Sequence, residues 1–186
     1  MRCDVNFCVW ITGLPGSGKS TVAKELESIL SQAGVRTVIL NLDELRKVLT
    51  PNPKYTDEER EIVYRSLVLT AKLLLEHSQK SVVIDATGNR RRFRELAREL
   101  IGEFAEVYLK CSLEVCKTRE GSRQGAPVEK DLYRKAAQGK LTGGLPGVST
   151  AYEEPENPEL EVRSDELSPQ ESAAKIMDYI KARWND

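Results

Sequence analysis

Apolar residues recur along this chain in two alternating rhythms. Residues 5–12 form a nearly continuous apolar stretch and predict a first strand. Lys19–Gln32 carries its apolar residues three and four apart, as one face of a helix requires, and stops at Ala33-Gly34, a C-terminal glycine signal. Residues 37–42 predict a second strand, with a short helix following from Asp43. Thr56-Asp57-Glu58-Glu59 reads as a capping box opening a long helix to about His77. Residues 81–86 predict a third strand, whose Val82, Val83 and Ile84 form the unbroken run expected when both faces are covered. Residues 90–101 read as helix, 104–111 as strand, and 113–119 as the start of a further helix. The rhythm then lapses: residues 120–150 hold six glycines and two prolines and no long periodic run. A short strand at 159–163 precedes a last helix opened by Ser168-Pro169-Gln170-Glu171. Five strands alternating with helices predict one α/β domain over 1–186, a parallel sheet covered on both faces.

Ligands on such a sheet bind where the strands end, at their carboxyl edge. The loop after the first strand reads Gly13-Leu14-Pro15-Gly16-Ser17-Gly18-Lys19-Ser20-Thr21, a G-x-x-x-x-G-K-S pattern without mismatch. Between a strand and a helix this is a phosphate-binding loop, so the expected fold is that of the P-loop kinases and hydrolases. Its backbone N–H groups turn inward around a triphosphate, and the helix that follows points its positive end at the anion. Lys19 is placed to reach the β- and γ-phosphates and Ser20 to hold Mg²⁺, which makes ATP and Mg²⁺ the expected cofactors.

Asp43 and Arg46 stand three apart in the first turns of the short helix and so share a face. Asp43 is expected to orient or deprotonate an acceptor hydroxyl, and Arg46 to grip an anionic group on that acceptor. Asp85 ends the third strand, where P-loop enzymes carry an acid bearing on the metal. Metal and base work thus fall to Asp43 and Asp85, undivided between them. Arg90, Arg91, Arg92 and Arg94 follow closely, and Arg60 and Arg65 lie on the preceding helix; one or two of them are read as part of an anion-binding wall. The irregular stretch at 120–150 is read as a lid that excludes water during transfer. It brings Arg119, Arg123, Lys130, Arg134, Lys135 and Lys140, some of them placed to close on phosphates.

Composition narrows the partners. A formal net charge of −1 offers no basic field for nucleic acid or an anionic membrane. No apolar run nears the roughly 20 residues that span a bilayer, and Asp4 and Asn6 interrupt the N-terminus, so a cytoplasmic protein is expected. Cys3, Cys8, Cys111 and Cys116 form no C-x-x-C pair and His77 is the single histidine, which argues against zinc. Cys8 and Cys111 read as small buried apolar residues. Leu67, Val68, Leu73 and Leu74 of the long helix are read as core, with a homodimer face as a second use.

With these residues in place, the chain resembles the adenylyl-sulfate kinase family. The 13–21 loop with Leu14 matches the family's opening motif, and Asp43 with Arg46 matches its D-G-D-x-x-R segment. Further on, Leu113-Glu114-Val115-Cys116 with Arg119, then Asp131-Leu132-Tyr133-Arg134-Lys135-Ala136, Gly147-Val148 and Tyr152-Glu153 with Pro155-Glu156-Asn157-Pro158-Glu159 follow the family pattern. The resemblance implies transfer of the γ-phosphate of ATP to the 3′-hydroxyl of adenylyl sulfate. It also implies Arg119 on the nucleotide, and Arg46, Arg60, Leu145 and Gly147 on the acceptor.

The chain departs from the pattern on the acceptor side. Asn41-Leu42 replaces the first aspartate and the glycine of D-G-D, and Val63 stands where an acceptor-binding asparagine is usual. Leu145-Pro146-Gly147 replaces F-T-G, removing a stacking aromatic worth on the order of 1 kcal/mol. Asp85-Ala86-Thr87-Gly88-Asn89 replaces I-S-P-Y, and the segment between Arg119 and Asp131 is longer. The D-x-T followed by arginines is also similar to polynucleotide-kinase-like and seryl-tRNA kinase enzymes. Two alternatives to adenylyl sulfate therefore stay open: another hydroxyl acceptor (a metabolite, a polynucleotide end or an aminoacyl-tRNA), or a nucleotide-binding module without turnover.

Overall fold

The computed structural model describes residues 5–122, 132–141 and 143–184. Cys3, Asp4, Arg123, Lys130 and Asp131, named above, lie outside them.

The chain lays down β1 (Cys8–Thr12), α1 (Lys19–Gln32), β2 (Thr37–Asn41), α2 (Leu42–Leu49), α3 (Asp57–His77), β3 (Ser81–Asp85), α4 (Arg91–Leu100), β4 (Phe104–Lys110), α5 (Leu113–Gly121), α6 (Leu132–Ala137), β5 (Leu160–Arg163) and α7 (Pro169–Trp184). The five strands form one sheet in the order β2-β3-β1-β4-β5, every neighbouring pair parallel. Alternation along β1 divides the interior in two. Phe7, Val9 and Ile11 face the layer of α1 and α7, with Leu26, Leu30, Ile176 and Ile180. Cys8 and Trp10 face the layer of α3 and α4, with Val63, Leu67, Val68 and Phe93. Each layer carries one tryptophan: Trp10 lies near Tyr64, and Trp184 stacks on Phe7 with ring centroids 4.7 Å apart.

A third, smaller cluster gathers Cys111, Cys116, Tyr133, Ala136 and Leu145 behind Leu14. Burial, with the Cys111 thiol beside it, pushes Cys116 up to about 12, so it stays a neutral packing group. Cys8 is likewise buried and raised. Leu67 and Val68 are core as expected, but Leu73 is 46% exposed, with Ile62 and Leu69 also exposed on the same helix. No helix among the described residues is long and apolar enough to cross a membrane.

Caps define where the helices start. Ser168 and Glu171 close a reciprocal box on α7: Glu171 accepts from the Ser168 N–H at 2.8 Å, and its own N–H donates to Ser168 Oγ at 3.2 Å. The box expected at Thr56 is only half formed. Thr56 Oγ1 accepts from the Glu59 N–H at 3.2 Å, but the Glu59 carboxylate turns instead to the Lys54 N–H at 2.7 Å and to Arg46 at 3.1 Å. The stronger, charged partner takes the carboxylate.

Several carboxylates titrate below their ordinary range. Glu153 is lowered by the Arg91 N–H and by Arg90. For Glu159, burial pulls upward but the bonds from Arg98 and from the Glu106 N–H outweigh it. Glu171 is lowered by both Ser168 donors. Groups with depressed folded values stabilise above their unfolded value and lose that contribution as pH falls through the folded one. The midpoint in scanning calorimetry is therefore expected to drop progressively below the ordinary glutamate value of 4.5, with no matching loss between there and neutrality.

Candidate active site

The phosphate loop leaves β1 at Thr12 and ends where Gly18, in the left-handed region at φ 96°, caps α1. Gly16 lies at φ 82°, and a Cβ there would fall 2.5 Å from the Cys116 carbonyl oxygen, so the loop rests directly on α5. Lys19 folds back over the loop and donates to the carbonyls of Gly13 and Leu14 at 3.0 and 2.9 Å. The Ser17 N–H donates to the Leu14 carbonyl at 3.1 Å, while its buried hydroxyl oxygen has no hydrogen-bond partner among the described residues. Ser20 and Thr21 follow in the first turn of α1. Arg119 donates to the Ser164 carbonyl at 2.7 Å and brings its guanidinium beside Gly18. Tyr133 donates its hydroxyl proton to the Pro15 carbonyl at 2.6 Å, and Gly147 turns beside the Leu14 side chain.

Beside β1 runs β3, whose last residue, Asp85, pairs in register with Ile11 on one side and Asn41 on the other. Asp85 is buried, and its Oδ2 accepts from Asn41 Nδ2 at 2.6 Å. Asn41 is also the N-cap of α2, its Oδ1 accepting from the Glu44 N–H at 3.0 Å. Asp43 follows in the first turn of α2 and is exposed, whereas Arg46 is buried. Both acids thus stand at the carboxyl edge of the sheet, next to the phosphate loop. Thr12 closes the floor, donating to the Thr87 carbonyl at 2.6 Å and lying 3.1 Å from the Tyr152 hydroxyl.

Beyond Asp43 the wall is built from two arginines and a tyrosine. Arg46 is paired with Glu59 at 3.1 Å, and its guanidinium lies 5.0 Å from the centre of the Tyr55 ring. Arg60 approaches the same ring to 5.8 Å, donating to the Tyr55 carbonyl at 3.1 Å and to the Gly143 carbonyl at 2.6 Å. Burial, with Arg46 nearby, lowers the Arg60 value from its ordinary one. Tyr55 is the one non-glycine residue with positive φ, 56°, among those described. A Cβ on Gly143 would overlap Tyr55 Cβ at 2.0 Å, so the segment after α6 can pack here only with glycine at that position. Sequence reasoning passed over Tyr55, because an aromatic in a polar, proline-containing link carries no periodic signal.

The other expected residues fall into place unevenly. Val63 is fully buried in the core of the α3–α4 layer. Leu145 is 4% exposed and serves the small cluster behind Leu14, offering packing there, so Tyr55 is the aromatic face on this side. Of the six arginines read for an anion-binding wall, Arg60 stands beside Arg46 and Tyr55, and the others are drawn to carboxylates elsewhere. Arg90 pairs with Glu153, Arg91 with Glu156, Arg92 with Glu61, and Arg65 also with Glu61. Arg94 is almost wholly buried, donating to Glu106 and to the Gly88 and Glu153 carbonyls. Arg90, Arg91 and Arg94 pin residues 153–156 to the start of α4, through partners distant in sequence that local spacing does not reveal.

Phosphate held at the end of a central strand, with acids at the ends of the next two, is the arrangement of a P-loop kinase acting on a small molecule. The profile of the family described as Adenylylsulphate kinase matches residues 5–163, and the chain belongs to that family. It is 38% identical over 183 residues to an adenylyl-sulfate kinase of Halothermothrix orenii, covering 98% of this chain and 94% of that one. It is 39% identical over 175 residues to a probable adenylyl-sulfate kinase of Pyrococcus abyssi, covering 94% and 95%. Among solved structures it is similar to the Mycobacterium tuberculosis APS kinase CysC in complex with AMPPNP and APS. The TM-score is 0.84 and the identity 30%, with 95% of this chain and 98% of that chain covered.

Proposed function

We propose that this enzyme transfers the γ-phosphoryl group of ATP to the 3′-hydroxyl of adenylyl sulfate, forming 3′-phosphoadenylyl sulfate. The observation that carries this reading is the Tyr55 ring between Arg46 and Arg60, with Arg46 on the helix that carries Asp43. An acceptor with a purine face and an anionic tail is what an aromatic ring between two guanidiniums suits. That constellation also supplies an aromatic face where Leu145 does not.

In this reading the 13–21 loop and the start of α1 hold the triphosphate, Lys19 neutralises charge on the β- and γ-phosphates, and Arg119 braces the nucleotide. Asp43, exposed toward the cleft, takes the proton from the acceptor hydroxyl. Oxygen donors alone, from Ser20, Asp85 and Asp43, suit Mg²⁺, which keeps several waters and needs few protein ligands. When bound, the ion neutralises charge on the phosphates.

The direct test is purified protein with Mg²⁺, ATP and adenylyl sulfate, following ADP release and the phosphorylated product. Turnover dependent on adenylyl sulfate supports the reading; ATP binding without it moves the acceptor to another hydroxylated anion. Tyr55→Leu is expected to raise KM for adenylyl sulfate about tenfold with KM for ATP unchanged, the loss of one stacked ring. Steady-state kinetics in both substrates checks it.

A further inference from the structure

We propose that Asn41 is a positioning residue for the transfer, setting the Asp85 carboxylate and the start of the helix that carries Asp43 with a single carboxamide. This rests on the roles given to Asp43 and Asp85 above. The parallel register of β2 and β3 sets Asn41 opposite Asp85 at the last rung of the ladder. Asn41 Nδ2 donates to Asp85 Oδ2 at 2.6 Å, the short distance typical of a bond to a charged acceptor. Its Oδ1 accepts from the Glu44 N–H at 3.0 Å and so caps α2.

The two bonds fix the orientation of the amide. Turned over, it would set oxygen against carboxylate and NH₂ against an N–H. Asp43 is the second residue of the helix so capped, and Arg46 lies one turn further on. Neither end of the carboxamide can shift without the other: a displaced Asp85 pulls on the helix start, and a frayed helix start releases Asp85. Asparagine is the small residue that suits both tasks. Aspartate caps a helix equally well but brings a second negative charge against Asp85, and serine caps without a donor long enough to span the strands.

That difference supplies the test, made on full-length protein with Asn41→Ser and Asn41→Asp, both of which keep the cap. Binding of a fluorescent ATP analogue is expected to stay near wild type, and the thermal midpoint to fall by a few degrees, more for aspartate, because the buried Asp85 loses a donor. The kcat is expected to fall about 10- to 100-fold, more for aspartate, with both KM values little changed. In an Asp85→Ala background, Asn41→Ser should cost nothing further, because its effect runs through Asp85. Wild-type kcat in both Asn41 variants beside an impaired Asp85→Ala overturns the inference and leaves the role of Asp85 intact. An equal fall from Asn41→Ser in both backgrounds also overturns it. An Asp85→Ala enzyme with full kcat overturns the role of Asp85 itself, and the inference with it.

Discussion

Lys19→Ala is expected to abolish turnover and to leave the fold standing. The lysine is partly exposed, and it donates to the Gly13 and Leu14 carbonyls, which water can satisfy when the ammonium is gone. Bonds from a partly exposed ammonium to carbonyls contribute about 1–2 kcal/mol each, so the midpoint should move by only a few degrees. The catalytic loss is of another size. Charge on the phosphates grows during transfer, and a fixed cation in a water-poor site stabilises it far more than in bulk solvent. A fall in kcat/KM of at least about 10³-fold is expected, measured by ADP release. A variant that retained a tenth of wild-type activity would mean that Arg119 or the loop amides carry the charge instead.

Arg94→Met is expected to have the largest effect on stability. The arginine side chain is 1% exposed and its partner Glu106 only 10%. Removing one member of such a pair leaves a buried charge uncompensated, at a cost of about 3–5 kcal/mol. Arg98, 3.4 Å from the other Glu106 oxygen, offsets part of that loss. Two carbonyls, of Gly88 and Glu153, lose their donor as well. In a chain of this length the midpoint should fall on the order of 10 °C, read by calorimetry. Arg94→Met with Glu106→Leu should recover much of it, since an apolar pair removes the stranded charge. A loss below about 1 kcal/mol in the single variant would show that water reaches Glu106.

These two residues were not equally legible in the sequence. Lys19 belongs to a motif whose meaning comes from contiguous residues, and α1 has the bounds its apolar spacing predicts, Lys19–Gln32. α3 likewise runs from the cap at Thr56 to His77. The strand ends were placed within a few residues, because unbroken apolar runs mark a sheet covered on both faces. The arginines after β3 were seen but misread, since Glu106, Glu153 and Glu156 reach them through the fold. Asn41 registered only as a departure from a family pattern. Its function depends on which strand lies beside β2, and the order β2-β3-β1-β4-β5 is a property of the assembled sheet. α6 went unpredicted because its six residues, Leu132–Ala137, are too few for a period to show. Tyr55 needed both its backbone conformation and the approach of Gly143.

The division of the interior by β1 has an optical corollary. The chain has two tryptophans, and each is embedded in a different layer, Trp10 against Tyr64 on one side of the sheet and Trp184 against Phe7 on the other. Their indole N–H groups also differ in partner, a backbone carbonyl of Ala86 for Trp10 and the Glu103 carboxylate for Trp184. Intrinsic emission from this molecule thus has two reporters, one in the helical layer that carries Arg60 and Arg94, the other in the layer that backs the phosphate loop.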